Sequence, residues 1–204
     1  MYRNFPEMCF KIISFFRRVR IPSEITNYTG RIILHIGDIP SYEFPYMKRL
    51  IKKVGPDIII HTGDLVDDMK VSRLPEDIPL YKKYAEQLIK VMENGAEEIY
   101  LVPGNNDLED FIKGKITRTQ IIPPNSSVMI GNISFLLCHR VMDIDGDAKF
   151  YLYGHGPTGD THLWEDNGKD GKYYSNVYFA PAVILTGEEK IIRLKGFKRR
   201  KSRK

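Results

Sequence analysis

Between residues 31 and 104 the chain alternates apolar runs with helical patterns: "RIILHIG" (31–37), "YMKRLIKKVG" (46–55), "DIIIHTG" (57–63), "LYKKYAEQLIKVMENG" (80–95) and "EIYLVPG" (98–104). Short Ile-rich runs without alternation read as strands buried on both faces, and the stretches between them repeat apolar residues at helical spacing. Gly55 and Asn94-Gly95 close the two helices. Strands and helices in that order imply parallel strands joined by right-handed crossovers. Later runs are mostly strands, "SVMIG", "ISFLLCH", "KFYLYGH", "VYFAPAVILTG" and "KIIRLKG", with Gly187-Glu188-Glu189 as the turn of a terminal hairpin. The expectation is a layered α/β sandwich whose later strands form a second sheet. A chain of 204 residues fits one such domain with a sizeable core.

The residues just past the strands are chemically unusual. Gly37-Asp38 comes after the first, Gly63-Asp64 after the second and Gly104-Asn105-Asn106-Asp107 after the third; His139 and Gly154-His155 come after two later ones. Each alone reads as a turn or a structural histidine. Together they place oxygen and imidazole ligands at strand ends, where open α/β sheets bind their ligands. That mixture suits divalent Mn, Fe or Zn. A carboxylate shared by two ions is how a two-metal site for phosphate esters is built.

Five segments resemble the calcineurin-like metallophosphoesterase family over about residues 31–194: "HIGDIP" its D-x-H segment, "HTGDLVD" its G-D segment, "PGNND" its G-N-H-D segment, "LLCHR" the strand delivering one histidine, and "YGHG" the start of its G-H-x-H. The resemblance implies a four-layer α/β/β/α sandwich of two mixed sheets. It also implies hydrolysis of a phosphate mono- or diester by a metal-held hydroxide, with a histidine assisting the leaving group. By the same resemblance one metal position takes Asp64, Asn105, His139 and His155, and the other retains Asp38 and Asp64.

Three family histidines are replaced here: Pro40, Asn106 and Pro157 stand in their places. The second ion position thus loses both imidazoles, and the expectation is one tight divalent ion and a second, weaker one. Within "GHGPTGDTHLWEDNG", His162 reads either as the lost ligand returned by an insertion or as a loop residue. Asn106 sits where the family has its general acid, and an amide cannot donate a proton as an imidazolium can. Asn106 and Asp107 are the candidate catalytic residues, with Asp107 alternatively holding the turn.

The net charge of +5 comes from the ends. The last ten residues hold seven Lys or Arg and no acid, and the first twenty hold five and one acid, so residues 21–194 carry 19 bases against 25 acids. The tail, 195–204, reads as disordered. Residues 1–22 read as an amphipathic helical segment. In it Met8, Ile12, Phe15, Phe16 and Val19 share one face, and Lys11, Ser14 and Arg18 share the other. The helix is expected to lie across the core by its apolar face; the other reading is a membrane-surface or partner-binding helix. Both basic ends could meet an anionic partner, nucleic acid or membrane surface; nothing indicates the oligomeric state. Two cysteines without a CxxC, Cys9 and Cys138, and no apolar run long enough to cross a bilayer make a cytoplasmic location the default. Three functions stay open: a phosphoesterase, a non-catalytic scaffold of the same fold such as the retromer scaffold subunit, and a nucleic-acid-associated protein.

Overall fold

A computed structural model describes residues 4–155 and 171–195, with side chains of the first helix from Cys9 onward. The expected readings of His162, of Pro157 and of nearly all the basic tail fall outside the described residues. Among the described residues ten strands form two mixed sheets. The six-stranded sheet runs β10 (Lys190–Arg193), β9 (Ala182–Leu185), β1 (Ile32–Ile36), β2 (Ile58–His61), β3 (Glu98–Leu101), β4 (Thr119–Ile121). Strands β1 to β4 are parallel, and β9 and β10 are antiparallel. The four-stranded sheet runs β5 (Ser126–Ile130), β6 (Ile133–Leu137), β7 (Phe150–Tyr153), β8 (Tyr173–Asn176), with β6, β7 and β8 parallel.

The period-2 geometry of strands sorts the apolar side chains into layers. Ile33, Ile58 and Ile60 meet Phe135, Leu137, Phe150 and Leu152 between the sheets. Leu34, Ile36, Ile59 and Leu101 face the other way, onto α3 (Phe44–Val54) and α4 (Ile78–Glu93). The layers thus run helices, six-stranded sheet, four-stranded sheet. Beyond the second sheet, Leu136, Cys138, Ala148 and Tyr151 pack with Ile144 from the β6–β7 connection. The mixed α/β sandwich matches the expectation. One sequence reading needs correction: "VYFAPAVILTG" holds a strand only at Ala182–Leu185, and β8 lies upstream of it. Strand β4 and the short helices α2 (Ser23–Thr26) and α5 (Glu109–Lys113) went unread, being too short to show a period.

The largest departure is at α1 (Asn4–Phe16), which is shorter than its apolar pattern. It docks by its polar side. Ser14 is buried, while Ile12, Ile13, Phe15 and Phe16 are 50%, 46%, 60% and 78% exposed. The reason lies in helix ends, whose first N–H and last C=O groups need partners. Ser14 Oγ accepts from the Tyr46 N–H in the first turn of α3 at 3.3 Å. Arg49 donates back to the carbonyls of Ser14 and Arg17 at the end of α1, at 2.6 and 3.1 Å. Arg17 grips the buried Glu43 carboxylate with two nitrogens, at 3.2 and 2.7 Å, and lies over the Tyr46 ring. Burying the apolar face instead would leave these groups without their partners. Val19 enters the core only after the chain has left the helix.

Glu93, at the end of α4, staples the helix to β4. Its carboxylate accepts from the backbone N–H groups of Thr117, Arg118 and Thr119 and from both threonine hydroxyls, at 2.6–3.0 Å. Burial alone would raise its pKa, but these hydrogen bonds win and hold it down at about 2. A depressed folded-state pKa adds stability that is present above the unfolded value and lost as pH falls through the folded one. Glu93→Gln is expected to cost on the order of 2 kcal/mol near neutral pH. In urea titrations the gap between variant and wild type should narrow below about pH 4.5, toward about 2. A gap that stays constant to the lowest pH would mean shape, not charge, carries the staple.

Candidate metal centre

Strands β1, β2 and β3 are adjacent and parallel, so their carboxyl ends lie along one edge. Asp38, Asp64 and Asn105 lie just past those ends. Pairing between β1 and β2 continues past the strands: Asp38 N–H donates to the Gly63 carbonyl at 2.9 Å and Ile39 N–H to the Asp64 carbonyl at 3.2 Å. Both aspartates take left-handed backbone, φ 48° and 52°. That conformation costs a non-glycine residue free energy, and residues held in it cluster at functional sites. In the second sheet, β6 and β7 are likewise parallel, and a bridge between Arg140 and His155 extends their pairing. Hence His139 and His155 stand side by side, ring centroids 5.9 Å apart.

Five of the six expected metal ligands therefore converge. Asp38, Asp64 and His139, all buried, bring ligand atoms within 4.8 Å of one another. His155 Nδ1 lies 3.6 Å from Asp38 Oδ1. Asn105 Oδ1 lies 3.2 Å from His139 Nε2.

Hydrogen bonding fixes which atoms face inward. His139 Nδ1 sits 2.8 Å from the Thr62 carbonyl, which only accepts, so Nδ1 carries a proton, and in the neutral ring Nε2 presents its lone pair. Arg140 donates to Asn105 Oδ1 at 3.1 Å, which orients that amide. Asp64 Oδ1 is 3.7 Å from His139 Nε2. Three electron-pair donors thus share one small volume, an arrangement a cation stabilises and which otherwise repels. The backbone is shaped to allow it. A Cβ on Gly104 would collide with the Asp64 carboxylate, and one on Gly154 with the Asp38 carboxylate. Burial pushes the Asp38 carboxyl up to about 6, opposed by His155 and reinforced by Asp64. Its pairing with Asp38 raises the His155 pKa. The donor set, two carboxylates, an amide oxygen and two imidazoles, fits a borderline divalent ion.

A model of the calcineurin-like phosphoesterase family matches residues 32–194. The chain belongs to that family. No curated protein matches it. Among the solved structures that match, one does so with a TM-score of 0.55 at 9% identity, over 83% of this chain and 100% of the other, a likeness of fold alone. The family acts on phosphate esters with divalent metals.

The "PGNND" residues divide their tasks. Asn105 is exposed beside His139, but Asn106 is buried beneath Asp64. Its amide N–H and side-chain Nδ2 donate to the two Asp64 oxygens at 2.9 and 2.6 Å. Asp107 accepts from the N–H groups of Asp64, Leu65 and Gly104 at 2.8–2.9 Å and from the Tyr81 hydroxyl at 2.8 Å. Burial raises its pKa to about 6, with the Asp64 charge adding to the rise.

Sequence reading missed several neighbours. Lys70 pairs with Asp67 at 2.8 Å and lies 3.9 Å from Asp64. Arg140 adjoins His139, a position that could have drawn notice. His35 and His61 are buried inside β1 and β2. His35 links Ser175 to Thr62, at 2.8 and 3.0 Å, and His61 Nδ1 accepts from Gly63 N–H at 3.2 Å. Burial drives both imidazoles to the neutral form, His61 to about 3. Their signal was the repeated H-x-G-D spacing, His35 two positions before Gly37 and His61 two before Gly63.

Proposed function

We propose that the chain is a metal-dependent phosphoesterase acting on a mono- or diester, with a narrow range of leaving groups. The observation that carries this reading is the convergence of the Asp38, Asp64 and His139 ligand atoms, with His155 beside Asp38 and Asn105 beside His139. Asp64, Asn105, His139 and His155 would hold the tighter ion, and Asp38 with Asp64 a weaker one. Such an ion supplies Lewis acidity and a nucleophile from water near neutral pH. The chain's own residues do the positioning. Thr62 fixes the His139 tautomer, and Asp107 ties the Asp64 loop to the Gly104 turn. Arg140 and Lys70 add positive charge beside the cluster for phosphoryl oxygens. In this reading Asp107 is a positioning residue and Asn106 orients Asp64, and neither transfers a proton.

A non-catalytic scaffold is the second reading. It is favoured by Asn106, whose side chain is spent on Asp64, and by Pro40, which offers no ligand. Titration separates the two. Calorimetry with Mn or Zn should show one tight equivalent, which His139→Ala removes. Mn-dependent hydrolysis of a nitrophenyl phosphodiester should accompany it. Two equally tight equivalents would mean that a further ligand, His162 first, completes the second position. A tight ion with no hydrolysis across divalent metals would hand the site to the scaffold reading. Among the described residues no helix is long and apolar enough to cross a membrane.

A further inference from the structure

We propose that α1 and its flank form a docking surface for an anionic lipid bilayer, independent of the metal centre. The helix is fixed to the body by polar contacts on one side: Ser14 to Tyr46, Lys11 Nζ to the Tyr84 hydroxyl at 2.6 Å, and the carbonyls of Ser14 and Arg17 to Arg49. The opposite side carries Cys9, Ile12, Ile13 and Phe16, spaced i, i+3, i+4, i+7, with Phe15 beside them. All five are exposed. The other large exposed apolar residues, Leu80, Met129, Met142 and Phe179, are scattered along the chain, whereas these five form one stripe.

Charge selects the occupant. Residues 4–20 and 44–54, which supply α1, its exit and α3, hold eight Lys or Arg and one acid, Glu7. Arg18 and Arg20 are exposed just beyond the stripe. Between α3 and α4 an apolar groove of about 940 Å³ is rimmed by Lys11, Lys48, Lys52 and Lys90. Residues 21–194, by contrast, are net acidic. An apolar stripe bordered by cations, on a helix hydrogen-bonded to the body, matches an interface whose interior is hydrocarbon and whose headgroups are negative. Nucleic acid would use the cations and leave the stripe wet. A second copy of the chain would bring a second set of like charges, Arg18 and Arg20 among them, to the contact.

The test is co-sedimentation of the full chain with vesicles of phosphatidylcholine, with or without phosphatidylglycerol. Wild type should bind the anionic vesicles and not the neutral ones, with binding weakened by salt. The triple variant Ile12→Ser, Ile13→Ser, Phe16→Ser alters only outward side chains, so its thermal unfolding should match wild type. Its partition onto anionic vesicles should fall by roughly tenfold or more, since apolar burial drives interfacial insertion. The basic tail is intact in both proteins, so it cannot produce that difference. Arg18→Ser with Arg20→Ser should weaken binding and flatten its salt dependence. Equal binding by the triple variant overturns the proposal and leaves the tail as the cause. So does a wild-type dimer in sedimentation velocity that Phe16→Ser dissociates, for then a second copy covers the stripe.

Discussion

Asp64→Asn is expected to remove tight metal binding and, with it, metal-dependent hydrolysis, by roughly 10³-fold or more. Asp64 is the residue on which the site converges. Its oxygens lie 3.7 Å from His139 Nε2 and 3.9 Å from Lys70, and they accept both donors of Asn106. The substitution is chosen to leave the backbone alone. Asn tolerates left-handed φ as well as Asp does, so the 52° value at this position persists. The cost to folding should be about 1 kcal/mol, from one mismatched contact with the Asn106 amide. Calorimetry with Mn and a thermal melt on the same sample separate the two effects. A variant that still binds one tight equivalent would place the ion elsewhere and remove the basis for the proposed chemistry.

The range of each interaction decides how much of this was legible in the sequence. Parallel pairing and strand ends are set by local apolar runs, so Asp38, Asp64, Asn105, His139 and His155 could be placed on one edge before any coordinates. The dock of α1 could not. Its apolar period is real, but its orientation was decided by groups far away in sequence. They are the N–H of Tyr46, the carboxylate of Glu43 and the guanidinium of Arg49. Hydrophobicity periods carry no information about which helix end needs a partner. Lys70 was invisible for a similar reason, since a lysine in a loop marks nothing until its distance to Asp64 is known. Likewise "NND" shows three polar residues in a row, and only the turn geometry sends Asn105 outward and Asn106 under Asp64.

That burial of Asn106 sharpens the expected dependence on leaving group. Aryl esters expel a stable anion and need no proton donor; alkyl esters expel a basic alkoxide and do. General acid help is worth typically ~10²–10⁴-fold, and wild type is expected to lose that order on alkyl esters relative to nitrophenyl ones. Lys70 is a poor substitute. Burial would lower its pKa, but Asp67 and Asp64 outweigh that and raise it, which makes the ammonium a weaker acid near neutral pH. Asn106→His supplies a group that can donate a proton in that range. It also gives up the Asn106 side-chain bond to Asp64, while the backbone N–H bond at 2.9 Å is independent of the side chain. The variant should therefore gain on alkyl esters more than on aryl ones, measured as the change in the kcat/KM ratio at saturating metal, with metal affinity checked separately. Equal wild-type rates on both classes would mean that a donor is already in place, and Lys70→Met and His162→Ala would then identify it. If both variants kept the equal rates, the proton would have to come from solvent, and the missing imidazole would not explain any selectivity the protein shows.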